Sequence, residues 1–201
     1  MKIGIDIDNT ILDYSFSFTK HASTLLGASL PEGSTKLQVQ NHVVMNYGED
    51  SWTKIQGVVY SQTPLEAIVS EGFKEFLDQA RMKRATINFV SHKTQFPIEG
   101  PRVNLRKLVL DLLRQERLLN PSLKSKDVVF CDSPEEKLKV IAMSNFNFFI
   151  DDLASIISKL PKNLQGLHYR CECTSPLDAQ HQPMKNWNQI KSHVFRDFKD
   201  E

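Results

Sequence analysis

Two carboxylates and a hydroxyl, spaced two places apart, follow an apolar run near the start of the chain: Lys2-Ile3-Gly4-Ile5-Asp6-Ile7-Asp8-Asn9-Thr10-Ile11. Ile3, Ile5 and Ile7 are β-branched and favour a strand. Asp8, Asn9 and Thr10 favour a turn and bond their own backbone. Asp6 is therefore expected where a buried strand opens onto the surface, the end at which open α/β sheets bind ligands. Two acids this close are costly to hold ionised unless a cation lies between them. The chemistry expected is a Mg²⁺ site with one carboxylate left to react. The plainer alternative is a strand that simply ends in a turn.

Further strands are expected at residues 85–90, 127–131, 146–150 and 164–169. Helical patterns separate them, around Phe73, Phe76 and Leu77, then Leu105, Leu108 and Leu112, and then residues 133–144. Pro101 is expected to open the second of these helices. Residues 153–160 and the Trp187, Ile190, Val194 spacing predict two more. Strands alternating with helices mean an α/β fold with a mainly parallel sheet. Parallel strands place their C-terminal ends on one edge. Asp6 with Asp8, Ser91, Cys131-Asp132 and Asp151-Asp152 all follow such ends, so they converge although the chain separates them.

Lys137 joins them by a different route. Ser133-Pro134-Glu135-Glu136 reads as a helix start, with Ser133 as cap and Glu136 completing a capping box. Lys137 then lies in a first turn, where the helix dipole disfavours a cation. A lysine there points to a nearby anion; the alternative is an exposed side chain at a small cost. Between the first strand and residue 69 the pattern is helical instead. Tyr14, Phe18, Ala22, Leu25 and Leu26 share one face, and Gly27 is a stop. Trp52, Ile55, Val58 and Val59 mark another helix, opened by Ser51, and Pro64 ends the region.

The chain has 201 residues, 40% hydrophobic and 24% charged, enough for one sizeable core and a small accessory lobe. Lys and Arg number 25 against 24 Asp and Glu, so no basic excess marks a nucleic-acid partner. No apolar segment is long enough to span a bilayer. Asp6 and Asp8 interrupt what would be a signal peptide's apolar core. A cytoplasmic protein is expected, with no membrane partner. Cys171 and Cys173 would point the same way from a strand, but Cys-x-Cys without a second pair is a weak metal signal. With Cys131 they read as inert thiols of a reducing compartment.

In this order, Asp6-Ile7-Asp8-Asn9-Thr10, Ser91, Lys137 and Asp151-Asp152 resemble the four motifs of the haloacid dehalogenase (HAD) superfamily of phosphohydrolases. The resemblance covers residues 2 to about 160. It implies a Rossmann-like three-layer sandwich, with a central, mainly parallel five-stranded sheet and a small helical cap inserted after the first strand. Residues 1–12 and 69–201 would be the core and 13–68 the cap. It implies Asp6 as nucleophile, forming an aspartyl-phosphate, and Asp8 as general acid and base. Mg²⁺ would be held by Asp6, the Asp8 carbonyl and Asp151, with Asp152 through water. Ser91, Lys137 and Thr10 would bind phosphoryl oxygens, and Thr10 would also orient the loop around Asp8. The acid at Asp8 favours phosphomonoester hydrolysis over carbon–halogen chemistry. Asn9 stands where glycine is frequent in the family, and Ser155 where a further metal ligand sometimes occurs.

A cap over the strand ends favours a small phosphorylated metabolite, a nucleotide or a sugar phosphate. Lys93 and His92 follow Ser91 and are expected to touch it. His42, Tyr47, Trp52 and Tyr60 could contact a base or sugar, or pack inside the cap. Two other classes remain: a phosphate-receiver domain, and a non-catalytic phosphometabolite-binding protein on a similar fold.

Overall fold

The computed structural model describes residues 1–62, 66–119, 123–170 and 181–196. Pro64, Cys171, Cys173 and residues 197–201 lie outside them. The central sheet has six strands in the order β5-β4-β1-β6-β7-β8, and every pairing is parallel. They are β1 (Lys2–Ile5), β4 (Thr86–His92), β5 (Val128–Cys131), β6 (Phe148–Asp151), β7 (Gln165–Tyr169) and β8 (His181–Met184). The sixth, β8, is the strand absent from the five expected. It is short, and its pairing with β7 is a tertiary contact that no local pattern announces.

Alternation sorts the side chains of each strand between two cores. Ile3, Ile5, Phe89 and Ile150 face one side; Val90, Cys131 and Phe149 face the other. Helices α4 (Phe73–Met82), α5 (Leu105–Gln115) and α8 (Trp187–Val194) pack on the first side through Phe73, Val109 and Trp187. Helices α6 (Pro134–Met143) and α7 (Ala154–Ile157) cover the second through Ile141 and Ile156. Helix α5 starts four residues beyond Pro101. Asn104 caps it instead, its side chain accepting from the Lys107 N–H at 3.0 Å.

Among the described residues three helices interrupt this core after β1: α1 (Ser15–Leu26), α2 (Lys36–Tyr47) and α3 (Glu49–Ser61). They leave and return through an antiparallel ribbon of β2 (Leu12–Asp13) and β3 (Ile68–Val69). Helix α3 opens after Gly48, not at Ser51, with Glu49 and Asp50 in its first turn, where the dipole favours them. Helix α2 went unread in the sequence. Its start is a full capping box: Thr35 Oγ1 accepts from Gln38 N–H at 3.3 Å, and Gln38 Oε1 accepts from Thr35 N–H at 2.9 Å.

The inserted helices touch the core through backbone. A Cβ on Gly57 of α3 would fall 1.9 Å from the Glu99 carbonyl oxygen, far inside contact distance. Only glycine lets the helix and that loop meet. Gly57→Ala is expected to push them apart and lower stability by about 1–3 kcal/mol, as overpacking does. A thermal melt reads this, and an unchanged melting temperature would show that the loop moves freely.

Candidate active site

Register builds the site. Ile5 pairs with Ile150 across β1 and β6. The next residue, Asp6, donates its N–H to the Ile150 carbonyl at 2.9 Å, which sets Asp6 beside Asp151. The chain then folds back within residues 7–12: Ile11 and Leu12 N–H both reach the Ile7 carbonyl at 2.9 Å. The turn needs Asn9 at φ 62, in the left-handed region that asparagine tolerates better than most residues. This explains an asparagine where glycine was the common choice. Thr10 Oγ1 donates to Asp6 Oδ2 at 3.2 Å. The Thr10 carbonyl is itself held, by Ser70 Oγ at 2.9 Å and Trp187 Nε1 at 3.2 Å.

Lys137 is the counter-charge of the site. It is 1% exposed. Its Nζ lies 2.6 Å from Asp6 Oδ1 and 2.7 Å from Asp151 Oδ2. Ser133 caps α6 as expected, accepting from Glu136 N–H at 3.1 Å. The reciprocal bond differs: Glu136 Oε2 accepts from Asp132 N–H at 2.6 Å, one residue before the cap. Burial and contact with two carboxylates oppose each other in Lys137; the carboxylates win, and its ammonium is held above the usual lysine range.

Asp6, Asp151 and Asp152 bring carboxylate oxygens within 4.8 Å of one another. Burial pushes the Asp6 carboxyl up to about 8; Lys137 opposes this, and Asp151, Asp152 and Asp8 add to it. Burial raises Asp152 to about 6, opposed by Lys36 and reinforced by Asp151. Fully ionised, the three carboxylates would exceed their one closely bound lysine by two negative charges. A hard divalent cation with oxygen ligands fits that set. The Asp8 side chain stands apart from it. Asp8 Oδ2 pairs with Lys93 Nζ at 2.7 Å, and Oδ1 is buried without a hydrogen-bond partner. Ser155 is exposed.

Ser91 lies inside β4, one residue before its end, and not just after the strand. Its Oγ is buried with no partner, as befits a group awaiting a ligand oxygen. Lys93 follows β4 and is 4% exposed. Arg106 fixes it by donating from Nε to the Lys93 carbonyl at 2.8 Å, while Arg106 Nη2 reaches Asp132 at 2.5 Å. His92 is exposed along part of its surface; partial desolvation of its ring, with the Lys137 charge, holds its imidazole below the usual range.

A cavity of about 270 Å³ opens over these groups. Asp6, Asp8, Lys137, Asp152, His92 and Lys93 form its floor and one wall. The inserted helices form another, through Lys36 of α2 and Thr53, Gln56 and Tyr60 of α3. Of the four aromatic candidates, Tyr60 alone lines the cavity. Trp52 is buried, stacked on Phe18 with centroids 4.9 Å apart. His42 and Tyr47 sit 6.3 Å from each other, away from it. Lys36 was missed. The Thr35–Gln38 spacing that caps α2 was the signal that could have found its helix.

No protein-family model matches the chain, and no curated protein does. Solved structures match over nearly its whole length. A HAD-superfamily hydrolase from Ehrlichia chaffeensis superposes with a TM-score of 0.56 at 15% identity, covering 97% of this chain and 96% of that one. A HAD-superfamily hydrolase of subfamily IA from Geobacter sulfurreducens gives 0.53 at 18%, over 94% and 96%. A HAD-family hydrolase from Deinococcus radiodurans, solved with bound phosphate and sodium, gives 0.61 at 10%, over 97% and 95%. At these identities the likeness is one of fold. Among the described residues no helix is long and apolar enough to cross a membrane.

Proposed function

We propose that this chain, which has the fold of the haloacid dehalogenase superfamily, is a Mg²⁺-dependent phosphohydrolase acting on a small phosphomonoester through an aspartyl-phosphate. The observation that carries this reading is one juxtaposition. Asp6, Asp8, Lys137 and Asp152 line one cavity, Asp151 joins them through Lys137 and the carboxylate group, and Ser91 Oγ is buried with no hydrogen-bond partner among the described residues. A binding protein has no use for a second acid, Asp8, beside a nucleophile.

Asp6 attacks phosphorus in line, and the ester P–O bond breaks as Asp8 gives its proton to the leaving oxygen. Water then attacks phosphorus, Asp8 takes its proton, and the P–O bond to Asp6 breaks. Inorganic phosphate leaves and both acids return to their starting states. Ser91 and Lys137 donate to phosphoryl oxygens, where negative charge accumulates. Asp6, Asp151 and the Asp8 carbonyl, with Asp152 through water, would hold Mg²⁺, and the bound cation would supply the positive charge that lets a dianion approach an anionic nucleophile. Thr10 steadies Asp6. Lys93 and His92 lie on the substrate's side of the cavity, and residues 13–68 act as its cap, excluding water.

The receiver reading is less well supported. Its acceptor would be the acid after a middle strand, whereas Asp132 follows β5 at the sheet edge and is exposed and engaged by Arg106. The direct test is phosphate release from a panel of nucleotides, sugar phosphates and phosphorylated hydroxy acids. Release is expected with Mg²⁺ and not with excess EDTA. A folded protein that releases nothing from the whole panel, or that ignores EDTA, would defeat the proposal.

A further inference from the structure

The reaction as proposed uses one lysine, Lys137, yet three line the cavity. Lys93 and Lys36 are surplus to the transferring phosphate. Lys93 pairs with Asp8 Oδ2 at 2.7 Å, with its Nζ 4.1 Å from the Tyr60 ring centre. Lys36 is the first residue of α2, whose first turn holds no acid. Among the described residues no carboxylate forms an ion pair with it, and Tyr60 lines the same wall of the cavity. A half-buried ammonium that no carboxylate among the described residues pairs with directly favours an incoming anion.

The place of these lysines sets the anion's reach. Lys36 lines the same cavity as Asp8 and Asp152. Lys93 contacts Asp8 directly. Both therefore share that cavity with the acid that would face the leaving oxygen. The same wall offers a nucleobase little. Trp52 is buried against Phe18, and the face of Tyr60 is covered by Lys93. A volume of about 270 Å³ suits a compact molecule.

We propose that Lys36, with Lys93 and the Tyr60 hydroxyl, forms a second anion subsite, so that the ester hydrolysed carries another anionic group close to its scissile oxygen. The group is a carboxylate or a second phosphate, and the substrate class is a short phosphorylated acid or bisphosphate. This rests on the phosphohydrolase reading for its orientation, with Asp6 and Asp8 marking where phosphorus and leaving oxygen lie.

The test compares kcat/KM, with Mg²⁺, for phosphoglycolate, ethylene glycol bisphosphate and neutral ethyl phosphate. The natural chain is expected to prefer one anionic ester to ethyl phosphate by about ten- to hundredfold, the range of a charge-assisted hydrogen bond. Which anionic ester leads distinguishes carboxylate from phosphate. Lys36→Met is expected to reduce that preference about tenfold or more, and Lys36→Arg to keep most of it. Equal rates on all three esters, or a Lys36→Met loss as large for ethyl phosphate, would overturn the subsite. If no ester is hydrolysed, calorimetry still decides. Phosphonoacetate binding more tightly than methylphosphonate, in a Lys36-dependent way, upholds the subsite while the hydrolase reading fails. Equal binding, or none, defeats it.

Discussion

Asp6→Asn is expected to reduce phosphate release by about 10⁴-fold or more, the scale on which removal of a nucleophile acts. The change keeps the shape of the side chain: its one carbonyl oxygen can accept from Lys137 while its N–H donates to Thr10 Oγ1, reversing that bond. It removes the charge and the nucleophilic oxygen. Folding should survive it. In the native chain Asp6 adds to the electrostatic load of Asp151 and Asp152, and burial already pushes its carboxyl up to about 8. A neutral group there relieves repulsion, so the melting temperature is expected to hold or rise. A steady-state assay and a thermal melt of one preparation read both effects. Residual activity within tenfold of the natural chain would remove Asp6 from the chemistry.

Lys137→Met is expected to act on stability as well as on rate. Its ammonium is 1% exposed and is the close counter-charge of both Asp6 and Asp151. Removing one partner from a buried ion pair costs about 3–5 kcal/mol, because the other charge is left uncompensated. The loss should be greatest in EDTA. Mg²⁺ should raise the melting temperature of Lys137→Met more than that of the natural chain, since the cation binds the folded state where the charge is most in excess. Catalysis should fall too, as a donor to the phosphoryl oxygens is gone. Thermal melts in EDTA and in Mg²⁺ check this. A variant as stable as the natural chain in EDTA would mean that the three carboxylates do not need Lys137.

The floor of this site was legible because each residue is announced by its own neighbours. Asp6 ends a β-branched run, Asp151 and Asp152 end an aromatic one, and Lys137 is found by counting from the Ser133-Pro134 helix start. Strand ends on a parallel sheet bring them together without knowledge of any distance. The supporting residues were not legible for the same reason. Ser70 and Trp187 hold the Thr10 carbonyl from 60 and 177 residues away, and nothing near either marks that partnership. Asp8 also differs from its expected company. Its carboxylate pairs with Lys93 and lies outside the group of three that could share a cation. Lys36 was hidden with its helix. Helix α2 alternates apolar and polar residues weakly, and only Val39 and Val43 are buried along it. Its Thr35–Gln38 cap carried the information that periodicity lacked. Strand β8 rests on a pairing with β7 that length and composition do not specify.

The most direct measurement is to quench the Mg²⁺-loaded protein in acid during turnover of a phosphoryl-labelled ester and map the label by peptide mass spectrometry. The predicted result is an acid-stable, hydroxylamine-labile phosphoryl group on the peptide holding Asp6, absent from Asp6→Asn. Label on another residue would contradict an aspartyl-phosphate at Asp6, as would steady turnover with no label at any time.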